Sequence, residues 1–151
     1  MTERPGTLQL ALRESFAAPA EALYGLMTDP AQLVRWWGPQ GFSTSVSQFD
    51  PDVARTYRLT MQPPDGEAFH LSGEFLEVDR PRRLAYTFRW EEPDPDDRDT
   101  VVVLTFDAVD GGTEVVLSQG PFTTDERLLL HRNGWTESFG KLRALAERTT
   151  A

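Results

Sequence analysis

The chain contains no cysteine. Disulfides and thiolate zinc sites are therefore excluded, and a reducing cytoplasm is the expected compartment. Positive charge is scarce: 15 Lys and Arg stand against 24 Asp and Glu, a net charge of −9. Without a basic stripe, binding to nucleic acid or to an anionic membrane surface is not expected. No apolar run approaches the ~20 residues that span a bilayer, so membrane insertion is not expected. Met1 to Pro5 open no apolar leader, so no signal peptide is expected. Histidine is nearly absent too. His70 and His131 lie on different predicted elements, and that is not a ligand spacing. No serine sits in a nucleophile elbow, and no glycine-rich loop would cradle phosphate. No metal and no cofactor is expected.

What is present is a pattern of short alternations followed by one long helical stripe. Leu8, Leu10 and Leu12 alternate with polar positions, which predicts a half-buried strand over 7–16. Pro19 opens a helix to about Thr28, since proline at a first helical position loses no needed N–H. Asp29-Pro30 caps a second, short helix, with Gln32 placed to bond back. Strands follow over 42–49, through Tyr57-Leu59-Met61, from Phe69 to Val78, and through Leu84-Tyr86-Phe88-Trp90. Gly73 marks a bulge or bend in the third of these. Val102-Leu104-Phe106 continue the alternation, and Asp110-Gly111 turns the chain into Thr113–Ser118. Gly120-Pro121 is expected to end the strand region.

Thr123 and Glu126 form a capping box for a helix reaching to about Arg148. Its apolar stripe is Leu128, His131, Trp135, Phe139, Leu142 and Ala146, three or four residues apart. Between the alternation ending at Trp90 and the one opening at Val102 lies the run 91–99, with six acids and one arginine. It reads as a solvated, mobile loop.

These elements predict an α+β fold. A curved antiparallel sheet of six or seven strands wraps one long C-terminal helix, with two short helices after the first strand. A length of 151 residues suits one domain, 1–151, with a core over about 8–147. One helix is only ~10–12 Å across, too narrow to cover so wide a sheet, which leaves room for an internal cavity.

The ordered set of short motifs is more telling than any one of them. It runs Ala17-Ala18-Pro19, Thr28-Asp29-Pro30, Arg35-Trp36-Trp37-Gly38-Pro39, Pro64-Asp65-Gly66 and Gly73-Glu74-Phe75. It continues with Pro81-Arg82-Arg83-Leu84, Tyr86-Thr87-Phe88, Gly111-Gly112-Thr113-Glu114-Val115 and Gly134-Trp135. In this the chain resembles the helix-grip superfamily of START lipid-transfer domains and Bet v allergens. Within it, the chain is most similar to the bacterial branch of homologues of the activator of the heat-shock protein 90 ATPase. The resemblance implies a helix-grip fold with a cavity for a small, mostly apolar molecule. It does not imply chaperone activation. One departure is Ala54-Arg55, where the family shows a Gly-Gly pair.

The candidate site is the aromatic set on the inward faces. Tyr57, Tyr86 and Trp90 follow from strand parity, and His131 and Trp135 from helical spacing. All five are expected to line one internal space, with Trp37 at its mouth on the strength of the resemblance. His131 reads either as a polar anchor or general acid/base in the cavity, or as a core-edge histidine bonded to backbone. His70 alternates with Phe69 and Leu71 and is expected to face solvent. The leading function is binding of a small hydrophobic or amphipathic molecule, with no catalysis assigned. The alternatives are a cyclase- or hydratase-like enzyme using His131 and a chaperone-interacting module. A monomer and a homodimer are equally compatible with the sequence.

Overall fold

The computed structural model describes residues 8–150, with side chains through residue 147. The start of the first predicted strand, Thr7, lies outside the described residues. The elements run β1 (Leu8–Phe16), α1 (Ala20–Thr28), α2 (Pro30–Leu33), β2 (Ser43–Phe49), β3 (Thr56–Gln62), β4 (Phe69–Asp79), β5 (Arg83–Trp90), β6 (Thr100–Val109), β7 (Gly112–Phe122) and α3 (Asp125–Thr150). The strands form one curved antiparallel sheet in the order β1-β7-β6-β5-β4-β3-β2. Consecutive strands from β2 to β7 are neighbours because short turns join them. β1 returns to the far edge beside β7, with Leu12 opposite Leu117 and Phe16 opposite Thr113.

Period-two alternation buries one face of each central strand. Tyr57, Leu59 and Met61 of β3, Tyr86 and Phe88 of β5, and Val102, Leu104 and Phe106 of β6 all point inward. On α3 the stripe His131-Trp135-Phe139-Leu142-Ala146 is buried, with Leu142 fully enclosed and Leu128 partly covered. The helix packs mainly on β1, its C-terminal half included, and also meets β7. Phe139 meets Phe16 edge to face at 5.8 Å.

Several local expectations are corrected. β7 does not stop at Gly120-Pro121 but runs to Phe122, which still pairs with Leu8. The cap of α3 is Thr124, not Thr123: its Oγ1 accepts the Arg127 N–H at 3.1 Å, while the Thr123 hydroxyl donates to the Asp96 carbonyl. Asp29 does cap α2, accepting the Ala31 N–H at 3.0 Å. Gln32 does not close that box, because its side chain accepts from Arg35 instead.

Gly73 serves a close approach rather than a bulge. A Cβ there would lie 2.0 Å from the Thr87 carbonyl oxygen and 2.8 Å from the Tyr57 ring. The Tyr57 side chain uses that gap to cross β4, and its hydroxyl donates to the Thr87 carbonyl at 2.6 Å. The irregularity in the β4–β5 ladder falls between Phe75 and Glu77 instead. Where the family shows glycines, Ala54 holds φ +68°. The left-handed region costs a residue with a Cβ roughly 1–2 kcal/mol. The turn keeps its seat on β4 through Ala54 N–H to Phe75 O at 2.9 Å and Phe75 N–H to Arg55 O at 2.8 Å.

Candidate functional site

The N-terminal half of α3 stands away from the sheet and leaves an open cleft of about 800 Å³. Its floor and walls come from Phe69 of β4, Phe88 and Trp90 of β5, and His131 and Trp135 of α3. Trp37 and Phe42 close one end. This half of the helix is propped by polar pairs beside the ring contacts of His131 with Phe122 and of Trp135 with Trp37.

The first prop is His131. Its Nδ1 lies 2.7 Å from the Arg127 carbonyl oxygen and its Nε2 accepts the Trp90 indole N–H at 2.9 Å. A carbonyl only accepts and an indole only donates, so the ring must be neutral with its proton on Nδ1. Burial, the largest influence, pushes its pKa below the usual histidine value. The second prop is Trp135, whose N–H donates to Gln119 Oε1 at 2.7 Å. Gln119 passes the chain on, donating from Nε2 to Thr100 Oγ1 at 2.9 Å. Both Gln119 and Thr100 are buried. A polar side chain there costs little because each group has a partner.

The third prop holds the acidic loop. Arg127 forks Asp97 at 2.8 and 3.1 Å and reaches Asp94 at 2.9 Å. The Asp97 side chain is only 8% exposed. The segment 91–99 is largely exposed, as expected, but it is not free: Arg127 anchors it at Asp97 beside the cleft. A planar guanidinium suits this because it offers two parallel donors to one carboxylate.

At the other end, the loop after α2 is tied to α3. Gly38 N–H donates to Ser138 Oγ at 3.0 Å and Gln40 N–H to Glu137 Oε1 at 2.9 Å. Gly38 and Gly41 take φ +106° and +85°, which lets the chain double back here. The Trp36 N–H donates to the Leu26 carbonyl at 2.9 Å, and its ring is fully buried. Trp37 stacks edge to face on Trp135, with centroids 5.0 Å apart.

The six sequence-predicted residues do not share one space. Trp37, Trp90, His131 and Trp135 line the cleft. Tyr57 and Tyr86 face a separate void of about 20 Å³, room for about one water. Trp37 borders both spaces. Burial raises the pKa of each tyrosine, so both stay neutral. Among the described residues, the Trp37 indole N–H and the Tyr86 hydroxyl make no hydrogen bond to protein, yet no sealed side-chain polar atom lacks a partner. Neither of these two atoms is therefore fully sealed by protein.

Sequence reasoning missed Gln119, Arg127 and Thr100. Gln119 had a signal: it takes the inward parity after Val115 and Leu117. The reasoning also missed a cluster at the strand ends, where His70, Glu91 and Glu92 bring ligand-type atoms within 4.8 Å of one another. Its members already have partners. Arg58 forks Glu91 at 2.8 and 2.9 Å, and His70 Nδ1 sits 2.7 Å from Glu92. His70 is half-buried rather than fully turned to solvent.

The family described as activator of Hsp90 ATPase homolog 1-like protein matches residues 17–147. A solved AHSA1 protein from Silicibacter pomeroyi is 32% identical, with a TM-score of 0.77 over 91% of this chain and 96% of that one. A protein from Chromobacterium violaceum superposes with a TM-score of 0.86 at 25% identity, covering 92% of this chain and 96% of its own. One from Mycobacterium smegmatis reaches 0.78 at 28% identity, covering 92% and 90%. No curated protein matches the chain.

Proposed function

The chain belongs to the family of activator of Hsp90 ATPase homolog 1-like proteins, and on that premise we propose that it binds a small hydrophobic or amphipathic molecule in the cleft under the N-terminal half of α3. Domains of this fold generally serve as ligand-binding or co-chaperone-like modules. The observation that carries the proposal is the cleft itself, about 800 Å³ and walled by Trp37, Phe69, Phe88, Trp90 and Trp135. Ligand sites are typically concave, mostly apolar and supplied with a few polar groups that orient the guest. The Trp37 N–H, which no protein group accepts, supplies one such group.

The state of His131 favours binding over proton transfer. Both its ring nitrogens are engaged, and taking up a proton would break the bond from Trp90. A general base needs a free nitrogen within reach of its substrate. Among the described residues no helix is long and apolar enough to cross a membrane, so a soluble carrier in the cytoplasm is the setting we propose.

Native mass spectrometry of the protein as purified, joined to titration with the neutral dye N-phenyl-1-naphthylamine, tests this. One dye should bind per chain, and Trp135→Ala should change its affinity by removing a wall. No saturable binding, together with no co-purified small molecule, would overturn the proposal.

A further inference from the structure

We infer that the guest of this cleft is a cationic amphiphile, an apolar body carrying a protonated amine or quaternary ammonium, rather than a fatty-acid-like anion. This rests on the binding proposal above and adds the charge of the guest to it. Five carboxylates border the cleft, Glu92, Asp94, Asp97, Glu126 and Glu137, against one cation, Arg127. Arg127 is already spent on Asp94 and Asp97. His131 is held neutral by its two hydrogen bonds. The other basic side chains nearby are turned to other work. His70 faces Glu92, and the Lys141 ammonium reaches the Pro39 carbonyl at 3.4 Å.

The start of a helix usually attracts anions through its free N–H groups. Here that attraction is cancelled. Asp125 and Glu126 stand in the first turn of α3, and the Thr124 hydroxyl occupies the Arg127 N–H. Glu126 is exposed and makes no hydrogen bond or ion pair among the described residues. Behind this acidic rim the walls are aromatic, and Trp37 and Trp135 stand nearly perpendicular at 79°. Indole faces attract cations, and a desolvated ammonium gains most from them. An anion entering the same space would meet repulsion at the rim and no free donor of positive charge inside. The full chain, at −9, adds the same bias at longer range.

The test compares three probes with one tail: decyltrimethylammonium, decanol and decanoate, each below its micelle concentration, displacing N-phenyl-1-naphthylamine at pH 7. At low salt the ammonium should bind about tenfold tighter than decanoate, with decanol between, and salt should narrow the gap by screening. Glu126→Gln with Glu137→Gln should weaken the ammonium several-fold and leave decanol unchanged. Glutamine keeps an oxygen for the Gln40 N–H, so the loop keeps its tie. Asp107→Asn with Asp110→Asn, on the β6–β7 hairpin away from the cleft, should change neither probe. Equal affinity of decanoate and the ammonium would overturn the inference and leave the binding proposal standing. So would equal weakening by the distant pair, which would mean adsorption to a generally acidic surface. Failure of the dye to bind, together with no co-purified small molecule, would overturn both.

Discussion

The two halves of α3 obey the same spacing and meet the same sheet, yet they are held by different forces. From Phe139 onward the helix packs against β1, and Leu142 and Ala146 are buried in the apolar core. Before Trp135 it stands off, joined to strands and loop by Trp90–His131, Trp135–Gln119–Thr100 and Arg127–Asp97. Apolar contact is non-directional and draws surfaces together until they touch. Hydrogen bonds fix a separation, so a helix propped by them can keep space beneath it. One amphipathic stripe can thus seal a core at one end and frame a cleft at the other.

Three substitutions probe that contrast. In the sealed half, Leu142→Ala should cost about 2–5 kcal/mol, because a fully enclosed leucine leaves a cavity when truncated. Urea unfolding measures it, and a loss below about 0.5 kcal/mol would mean that this half is not tightly packed. In the open half, Gln119→Leu should cost about 1–3 kcal/mol, since it strands the Trp135 N–H and the Thr100 hydroxyl without partners. An unchanged urea midpoint would show that the chain of props bears nothing, and the contrast would collapse.

The smallest effect concerns His131 and pH. Burial sets its folded pKa below the ordinary value of 6.5. Between the two values the unfolded chain holds more protons than the folded one, so stability rises with pH across that window. Stability should therefore fall as pH drops below about 6.5, and level off for this group once the folded ring protonates. Comparing urea midpoints at several pH values with those of His131→Gln isolates the effect, because carboxylates also titrate at the acid end. A variant with the same pH slope as the parent would show that the His131 pKa is unshifted by folding, and a shallower slope in the parent would show that it is raised.

Much of this was legible in the sequence. Alternation located the inward faces, and helical spacing located the stripe, because both periods follow from backbone geometry alone. Parity tells which face a side chain takes but not where along a wide sheet it lies. Tyr57 and Tyr86 were therefore rightly placed inward and wrongly placed in the same space as Trp90. Trp37 stands between the two spaces, and no local pattern says so. The fastening of the acidic loop was invisible for a related reason. Six acids within nine residues look mobile until the fold brings Arg127, thirty residues beyond Asp97, against two of them. Gln119 was the avoidable miss, a polar residue on an inward position of an otherwise apolar strand.

The crossing of Tyr57 over Gly73 carries a lesson about the order of changes in this chain. A methyl group at position 73 would collide with the tyrosine ring, but it would collide harder with the Thr87 carbonyl, which is main chain and stays whatever stands at 57. The dependence therefore runs one way. Position 57 can be altered while glycine remains, whereas no replacement at 57 makes room for alanine at 73. As long as this sheet is kept, the reach of the tyrosine presupposes the glycine, while the glycine does not presuppose the tyrosine.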